Sequence, residues 1–386
     1  MVSAGGGDTL GAVVFAAGGT GGHLTPMLAV AEALRSDAPD LRTVFLCSER
    51  EIDARVLEPA GEVWKPLPAK PLQANPWKLA RFVTSWGPSV RATRQAIAQL
   101  RRDLDALDAP RRIEMVTTGG FVAAPAVQAA RVERVPVTLV NLDAKPGKAS
   151  RWIAPRAARV LTALPVDGGA WTRIPPIVRP GAGFEGASED ARVELGLDPC
   201  RPVLLITGGS QGARTLNDFI LALAQHEPAA FEAWQVVHQC GSGDIAARAR
   251  DAWRQAGVPA VVEAYFDRLG VAWRAAELAI ARAGAGTVAD AWRSATPTLF
   301  MPYPHHKDRH QFANAAPLVS AGGAAVLEDQ RETPHNVRLH AQTVVALLRD
   351  TTARARMADE LRKLGPTDGA DRVARLLLAG GSTDAV

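Results

Sequence analysis

Short apolar runs recur along the chain, separated by segments long enough to form helices. The runs consist mainly of Val, Leu, Ile and Ala, without the strict alternation of strands that expose one face. Strands buried on both faces have this pattern, which predicts an α/β fold with parallel sheets covered by helices on both sides. The predicted strands are 12–17, 43–47, 113–117, 136–140, 159–163, 202–207, 234–239, 259–263, 277–281, 297–301 and 323–327. The predicted helices include 26–36, 88–104, 147–156, 213–225, 244–256, 285–294, 308–320 and 336–349.

Proline and glycine are concentrated between Pro165 and Pro202, which is typical of a linker. At 386 residues the chain is also longer than one typical domain. We therefore predict four segments. They are an N-terminal domain at 1–165, a linker region at 166–201, a C-terminal domain at 202–350, and terminal helices with a tail at 351–386.

Glycine-rich turns follow three of the predicted strands and precede predicted helices. They span Gly18–His23, Thr118–Phe121 and Thr207–Ala213. Unpaired backbone N–H groups at a helix start attract phosphate, because the helix dipole also favours negative charge there. Two such turns in the first half and one at the start of the second indicate two sheets facing each other across a phosphate-bearing ligand.

A fourth turn, Arg282–Asp290, follows the strand at 277–281. Its amides are candidates for binding a diphosphate, and Asp290 is a candidate acceptor of hydrogen bonds from a ribose diol. The alternative for Asp290 is a carboxylate that complements the dipole in the first helical turn.

Two common nucleotide-binding motifs are absent. From Gly19 the G-x-G-x-x-G pattern reaches Leu24 where its third glycine is required, and a Walker A loop would need Gly-Lys-Ser/Thr where His23 and Leu24 stand. The net charge of +4 comes without the interleaved basic and aromatic stripe of a nucleic-acid binder. These observations favour an anionic substrate or an anionic membrane surface and predict no nucleic-acid partner.

Histidines supply the candidate acid–base and metal chemistry. His23 directly follows the first turn, where it is a candidate proton acceptor or hydrogen-bond donor; a capping or packing histidine is the alternative. The segment His305–Gln311 resembles a metal site, but Lys307 and Arg309 lie within it and favour a basic, hydrogen-bonding loop. Three widely spaced cysteines match no metal spacing and indicate a reducing compartment.

Residues 76–96 combine apolar side chains such as Trp77 and Phe82 with basic ones such as Lys78 and Arg81. This mixture suits docking onto an anionic bilayer surface, and an ordinary amphipathic helix over the core is the alternative. No run of 18 apolar residues and no N-terminal signal pattern is present, so we expect neither a membrane-spanning nor a secreted protein.

The motifs Gly-Gly-Thr-Gly-Gly-His-x-x-Pro and Gly-Gly-Ser-Gln-Gly-Ala, with Ala285–Asp290 and Lys307-Asp308-Arg309, resemble the MurG-type glycosyltransferases from about residue 11 to residue 330. The resemblance implies the GT-B architecture, in which two Rossmann-like domains face each other across a deep cleft. It also implies inverting transfer of N-acetylglucosamine from UDP-N-acetylglucosamine to a lipid-linked muramoyl-pentapeptide in peptidoglycan synthesis.

By this resemblance, Ser210 and Arg179 would contact the diphosphate, the backbone of Phe266 the uracil, Asp290 the ribose and Gln311 the donor sugar. His23 would deprotonate or orient the acceptor hydroxyl. The implied UDP-sugar site comprises Thr20, Gly21, Gly22, Arg179, Ser210, Phe266, Ala285, Gly286, Thr287, Val288, Ala289, Asp290 and Gln311. The implied acceptor side comprises Gly119, Gly120 and Phe121.

The resemblance further implies that no metal or other cofactor is required. Implied partners are the UDP-sugar, the lipid-linked acceptor, an anionic membrane surface and cell-wall synthesis proteins. The implied location is cytoplasmic, peripheral on the inner face of the cell membrane.

Most departures from the family pattern fall on the acceptor side. Asn141-Leu142-Asp143-Ala144 replaces the usual His-Glu-Gln-Asn, Phe121 replaces tyrosine, and Asp290 is one methylene shorter than the usual glutamate. Three alternatives therefore stay open. They are a GT-B enzyme with another acceptor, such as a diacylglycerol or a secondary metabolite; a UDP-N-acetylglucosamine 2-epimerase; and a catalytically silent homologue.

Overall fold

The protein, described here as a computed structural model, forms two compact units. The first comprises Met1–Pro180 and Asp368–Val386, and the second comprises Gly181–Thr367. The structure describes residues 9–19, 21–106, 111–166, 168, 171–178, 184, 186–209, 212–305 and 308–380.

In the first unit, the described residues form a seven-stranded sheet in which all paired strands are parallel. The strands are β1 (Thr9–Ala16), β2 (Arg42–Ser48), β3 (Trp64–Leu67), β4 (Arg111–Thr117), β5 (Val137–Asn141), β6 (Arg159–Thr162) and β7 (Thr172–Arg173). Their spatial order is β3-β2-β1-β4-β5-β6-β7. The helices are α1 (Gly21–Asp37), α2 (Glu51–Leu57), α3 (Pro76–Asp105), α4 (Ala123–Val132) and α5 (Lys148–Ile153), followed by a 3₁₀ turn at Ala154–Arg156.

In the second unit, the described residues form a six-stranded parallel sheet. Its strands are β8 (Val203–Thr207), β9 (Gln235–Gln239), β10 (Ala260–Glu263), β11 (Leu278–Ala281), β12 (Thr298–Phe300) and β13 (Ala324–Val326). Their spatial order is β10-β9-β8-β11-β12-β13. The helices are α6 (Ser188–Glu194), α7 (Arg214–His226), α8 (Gly243–Gln255), α9 (Leu269–Ala275), α10 (Ala285–Ser294), α11 (His310–Ser320), α12 (Thr333–Arg349) and α13 (Thr351–Arg362), with a 3₁₀ turn at Pro228–Ala230.

Each sheet has a hydrophobic core on both faces. In the first unit one core contains residues of α1, α2 and α14 (Gly369–Leu378), and the other contains residues of α3, α4 and α5. Every residue of β5 and β8 is buried, which explains why their sequences show no alternation. The prediction of parallel sheets with helices on both sides is confirmed.

Helix α14 returns to the first unit at the end of the chain. It contacts α1, and Arg159 donates a hydrogen bond of 2.6 Å to the carbonyl oxygen of Leu376. Arg112 also donates to the carbonyl of Leu377. The last segment therefore completes one face of the N-terminal sheet.

The order of strands places the glycine-rich turns together within each unit. Strands β1 and β4 are neighbours, and so are β8 and β11. At each of these pairs the strand order reverses, and parallel sheets bind ligands at the carboxyl ends of strands at such a switch point. Two turns thus lie side by side in the first unit, and two in the second.

Because His238 in β9 is buried, we expect the second unit to lose stability in acid. Burial lowers the pKa of His238 to about 3. Its Nε2 pairs with Asn217 Oδ1 at 3.0 Å, and its Nδ1 accepts a hydrogen bond of 3.2 Å from Trp253 Nε1. Protonation of Nδ1 would remove the acceptor for Trp253, so the ring stays neutral in the folded protein.

An unfolded chain binds this proton below pH about 6.5, so stability should fall as pH drops from about 6.5 toward 3. The limiting slope for this one group is about 1.4 kcal/mol per pH unit. Urea unfolding at pH 7.5, 6, 5 and 4 measures it. His238→Gln should reduce the slope, whereas His335→Gln, at an exposed position, should not; equal slopes for wild type and His238→Gln would contradict the assignment.

Candidate active site

The first glycine turn is held by a buried carboxylate, Asp53, in α2. Both oxygens of Asp53 accept from the Gly19 N–H, at 3.0 and 2.9 Å, and Oδ2 also accepts from the backbone and hydroxyl of Ser48 at 2.8 and 2.6 Å. A Cβ at Gly18 would lie 2.6 Å from Asp53 Oδ2. Only glycine therefore fits against the carboxylate. Asp53 was not predicted from the sequence, because a carboxylate near a helix start is typical of a surface residue.

The second glycine turn adopts backbone angles that favour glycine. Gly119 and Gly120 have φ of +89° and +82°. The Thr117 hydroxyl donates to the carbonyl of Ala16 at 2.5 Å and accepts from the Gly119 N–H at 3.0 Å. A Cβ at Gly119 would lie 2.6 Å from Ser150 Oγ. The turn is thus joined to β1 on one side and packed against α5 on the other.

Phe121 and Arg50 connect the two turns of the first unit. The Phe121 ring packs against Gly19, where a Cβ would collide with it. The Arg50 guanidinium lies 5.1 Å from the centre of the Phe121 ring and donates a hydrogen bond of 2.6 Å to the Gly19 carbonyl. Arg50 was not predicted from the sequence.

His23 lies at the start of α1, with its ring beside the second turn. A Cβ at Gly120 would be 3.4 Å from His23 Cδ2 and 3.5 Å from Nε2, and Thr118 Oγ1 donates to the His23 carbonyl at 3.1 Å. Among the described residues, its Nδ1 has no hydrogen-bond partner. Burial lowers the pKa of His23, and the carboxylates of Asp143 and Asp53 oppose that shift. The ring is therefore neutral at pH 7 and able to accept a proton.

The segment that departs from the family pattern supplies Asp143. Asn141 is buried, and its amide donates to the Asp143 carbonyl at 2.6 Å and to Thr162 Oγ1 at 3.1 Å. These bonds hold the backbone that places Asp143 within electrostatic range of His23. Ala144 stands where the family pattern has asparagine and so lacks its side-chain amide. The neighbouring Asp143 supplies a carboxylate that favours the protonated form of His23.

The structure brings together His23 and the predicted acceptor-side residues Gly119, Gly120 and Phe121. Gly21 and Gly22 form the first turn of α1. Thr20, Ser210 and Arg179 lie outside the described residues.

In the second unit, Gln239 connects the turn after β8 with Phe266. Its Nε2 donates to Thr207 Oγ1 at 3.3 Å and to the Gly209 carbonyl at 3.2 Å, and its Oε1 accepts from the Phe266 N–H at 3.2 Å. A Cβ at Gly212 would lie 2.5 Å from the Cys240 carbonyl oxygen. The backbone of Phe266 is predicted to meet uracil, and its N–H is already bonded to Gln239 within the protein.

The turn after β11 leads into α10 without a side-chain cap. Gly284 is the N-cap residue, and the first backbone bond of the helix runs from the Val288 N–H to the Gly284 carbonyl. The N–H groups of Ala285, Gly286 and Thr287 precede that bond and have no partner within the helix. This is the geometry that binds an anion.

Asp290 is 3% exposed and lies beyond the first turn of α10. The first turn contains no acidic residue. The alternative of a dipole-complementing carboxylate in the first turn is therefore not supported.

Arg282, directly before this turn, is a buried cation that was not predicted as a site residue from the sequence. Its Nη1 donates to Asp329 Oδ2 at 2.9 Å and to the Met301 carbonyl at 2.7 Å, and its Nη2 donates to Thr215 Oγ1 at 2.7 Å. Burial lowers the pKa of Arg282, opposed by Asp329. Arg282 thus connects the end of β11 with Thr215 in α7, with the loop after β12 and with Asp329 after β13.

Gln311 is positioned by that same loop. Its Oε1 accepts from the Tyr303 N–H at 2.8 Å, and Tyr303 stacks on Arg282 at 5.8 Å. His310 Nδ1 lies 2.8 Å from Asp308 Oδ1. Within the part of the chain that the structure describes, no group of three His, Cys, Asp or Glu side chains could hold a metal ion. Metal-free chemistry stays a prediction.

Comparison with known proteins identifies the family. Residues 13–162 match the glycosyltransferase family 28 N-terminal domain, and residues 203–373 match its C-terminal domain. The chain is 34% identical to a Nocardioides protein over 95% of this chain and 97% of that protein, and 35% identical to a Leifsonia xyli protein over 96% and 98%. Both relatives are named UDP-N-acetylglucosamine–N-acetylmuramyl-(pentapeptide) pyrophosphoryl-undecaprenol N-acetylglucosamine transferase.

The fold is similar to the crystal structure of Acinetobacter baumannii MurG, with a TM-score of 0.70 at 22% identity over 95% of this chain and 99% of that chain. This similarity confirms the GT-B fold class. The chain belongs to glycosyltransferase family 28 and is a MurG-type glycosyltransferase.

Proposed function

We propose that the protein transfers N-acetylglucosamine from UDP-N-acetylglucosamine to a lipid-linked muramoyl-pentapeptide, with inversion at the anomeric carbon. The observation that carries this proposal is the start of α10, which has no side-chain cap and follows β11 beside the end of β8, with the buried Asp290 in the same helix. The full-length relatives with this name support the choice of donor and acceptor.

In this mechanism the acceptor hydroxyl attacks the anomeric carbon while the bond from that carbon to the UDP oxygen breaks. His23 takes the hydroxyl proton, and Asp143 and Asp53 stabilise the resulting imidazolium. UDP leaves with the electron pair, and its diphosphate charge is stabilised by the N–H groups that open α10. No step requires a metal ion or another cofactor.

A GT-B enzyme with a different acceptor is the second candidate, because Asn141–Ala144 replaces the family segment on the acceptor side. UDP release should be measured with a lipid I analogue and with diacylglycerol, each with the UDP derivatives of N-acetylglucosamine, glucose and galactose. Release only with the lipid I analogue and UDP-N-acetylglucosamine is expected. Preferential release with diacylglycerol would instead support the second candidate.

Asp290→Ala should weaken UDP binding by about 1–3 kcal/mol, because a buried carboxylate that accepts hydrogen bonds from the ribose would be lost. Titration calorimetry with UDP and with 2′,3′-dideoxy-UDP measures the effect. The variant should lose affinity for UDP and lose little for the dideoxy compound. An equal loss for both ligands would remove Asp290 from the ribose contact.

We infer that the protein docks on an anionic membrane surface through the start of α3, which would make it peripheral on the inner, cytoplasmic face. No helix among the described residues is long and apolar enough to cross a membrane. Trp77, Leu79 and Val83 are exposed by 83%, 44% and 61%, and the buried residues of α3 begin at Ser89. An amphipathic helix that only covers the core would bury these apolar side chains.

Lys78→Glu combined with Arg81→Glu should reduce sedimentation with phosphatidylglycerol vesicles at least tenfold, because each basic residue near an anionic surface contributes about 1 kcal/mol. Arg102→Glu, on the exposed C-terminal part of the same helix, is the matched control and should sediment like wild type. Unchanged sedimentation of the double variant would favour the plain core-helix alternative.

A further inference from the structure

Helix α14 belongs to the first unit, although the segment directly before it belongs to the second. The chain crosses from the second unit to the first between Thr367 and Asp368. No step of the proposed reaction uses this crossing. Both of its ends are nevertheless fixed by hydrogen bonds, one to the helix that carries Asp290 and the other within the unit that contains His23.

On the side of the second unit, the crossing is bonded to α10. Trp292 is buried near the end of α10, and its Nε1 donates a hydrogen bond of 3.0 Å to the Gly365 carbonyl. The same helix begins at Ala285 with the N–H groups proposed to bind the diphosphate. A short helix is a rigid element, so a ligand that orders the start of α10 also fixes the position of Trp292.

On the side of the first unit, the crossing is held at the start of α14. The Gly369 N–H donates a hydrogen bond of 3.2 Å to the Pro176 carbonyl, and Ile177 pairs with Asp368 in an antiparallel bridge. A Cβ at Gly369 would lie 2.1 Å from the Pro175 carbonyl oxygen, so only glycine fits at this position. The first turn of α14 is thus fixed to the segment that follows β7.

The connection between these two anchors is short and stiff. Only three residues separate Gly365 from Gly369, and the first of them is Pro366, whose ring fixes φ. The second, Thr367, is buried. A connection of this kind transmits a displacement from one anchor to the other, whereas a long flexible linker would absorb it.

Helix α14 in turn packs against α1, the helix that carries His23 in its first turn. Val373 and Leu377 of α14 lie in the same hydrophobic core as Leu24, the residue after His23. The position of α14 therefore affects the helix on which the candidate proton acceptor lies.

A charged cluster fixes the other end of α14. Arg159 Nη1 donates a hydrogen bond of 2.6 Å to the Leu376 carbonyl, and Arg112 donates to the Leu377 carbonyl. The buried Glu114 pairs with both arginines, at 3.2 Å from Arg112 Nε and 3.3 Å from Arg159 Nη2. The two guanidinium groups face the negative end of the helix dipole and stabilise α14 in its docked position.

We propose that α14 couples the donor site of the second unit to His23 in the first. The proposal rests on the proposed function, since it takes the start of α10 as the diphosphate site. UDP orders α10, the hydrogen bond from Trp292 extends this order to Gly365, and the stiff crossing extends it to α14 and α1. Donor binding thereby holds His23 in place before the acceptor hydroxyl attacks.

Hydrogen exchange measured with and without UDP tests this coupling. In wild type, UDP should slow amide exchange in α14 at least fivefold, since the coupling between two linked sites is typically about 5- to 150-fold. Trp292→Phe removes the N–H that bonds to Gly365 and should abolish this slowing. Trp273→Phe is the matched control and should behave like wild type, because Trp273 is buried in the same core and its Nε1 has no hydrogen-bond partner among the described residues.

The outcomes separate this inference from the proposed function. A wild type that binds UDP without slower exchange in α14 would overturn the coupling, and this measurement needs no variant. Slowing that persists in Trp292→Phe, or that is lost in both tryptophan variants, would also overturn it, since the hydrogen bond to Gly365 would then not be the link. A wild type that binds no UDP would instead overturn the proposed function.

Coupling is reciprocal, so loosening α14 should weaken UDP binding. Arg159→Gln removes a donor to α14 within the first unit and should raise the Kd for UDP at least fivefold. Arg94→Gln, which loses an ion pair with Glu133 on the surface of the same unit, is the control and should keep the wild-type Kd. In a Trp292→Phe background, Arg159→Gln should no longer change the Kd. An unchanged Kd in Arg159→Gln alone, or an equal effect in both backgrounds, would contradict a link through α14.

Discussion

Replacing His23 with alanine is expected to lower kcat by about 10²- to 10⁴-fold, the usual contribution of a general base. The affinity for UDP should stay unchanged, because His23 belongs to the first unit and the proposed diphosphate site at the start of α10 belongs to the second. Single-turnover kinetics with the lipid I analogue, combined with UDP titration, measure both quantities.

His23→Gln separates proton transfer from orientation of the acceptor, since glutamine can hydrogen-bond but cannot take the proton. A low kcat in both His23→Ala and His23→Gln indicates that His23 is the base. Recovery of kcat in His23→Gln indicates that His23 only orients the acceptor. Unaltered turnover in His23→Ala would remove the residue from the chemistry.

The pH profile gives an independent test of the same assignment. Because burial lowers the pKa of His23, the ring loses its proton-accepting form only at pH values below the ordinary 6.5. In wild type, kcat should therefore fall with acid on a limb displaced below pH 6.5, and that limb should be absent from His23→Ala. The exposed His335 provides the control, since His335→Ala should keep the wild-type profile. A limb that persists in His23→Ala would point to another base.

The sequence predicted the central strands because burial on both faces leaves an uninterrupted apolar run. It missed β3 and β7, which lie at the two edges of the first sheet. Strand β3 contains Lys65 and Pro66, both exposed, and β7 has only two residues, also exposed. These two edge strands expose most of their residues and therefore leave no apolar pattern. The return of α14 to the first unit depends on contacts with residues more than 200 positions away, such as Arg159, and no local pattern reports them.

The glycine turns and His23 could be predicted because glycine marks the turn conformation in the sequence and each turn follows an apolar strand. The residues that hold the turns could not. Asp53 is 34 positions from Gly19, and Arg282 is 47 positions from Asp329. A charged residue that folds inward has the same local sequence pattern as one that faces water. The only local signal for the role of Arg282 was its position immediately before a glycine turn.

The two units share a physical arrangement. In each, a glycine turn presents backbone groups at the end of a strand, while a buried carboxylate behind it takes up hydrogen bonds. In the first unit Asp53 accepts directly from the Gly19 N–H; in the second, Asp329 accepts from Arg282 and Thr215. Asp53 thus holds the backbone of the first turn directly, whereas Asp329 holds the side chain of Arg282, which immediately precedes the turn after β11.

Arg282→Ala is expected to lower the free energy of unfolding by about 3–5 kcal/mol, because it leaves Asp329 as a buried carboxylate without its cationic partner. Affinity for UDP should fall as well, since the loop after β12 and the start of α7 lose their common hydrogen-bond donor. Urea unfolding and UDP titration measure the two effects. Arg282→Lys should recover only part of either, because one ammonium cannot reach Thr215, Met301 and Asp329 together.

A double-mutant cycle shows whether the pair acts as a unit. Asp329→Asn removes the carboxylate charge and leaves Arg282 buried, so it should also destabilise. The combined Arg282→Ala, Asp329→Asn variant removes both charges, so neither is left buried without a partner. Its loss of unfolding free energy should be smaller than the sum of the two single losses by about 1–3 kcal/mol. Additive losses would mean that the two side chains stabilise the second unit independently. In that case Arg282 would hold the turn before α10 through its hydrogen bonds to the carbonyls of Met301 and Pro302 rather than through the ion pair.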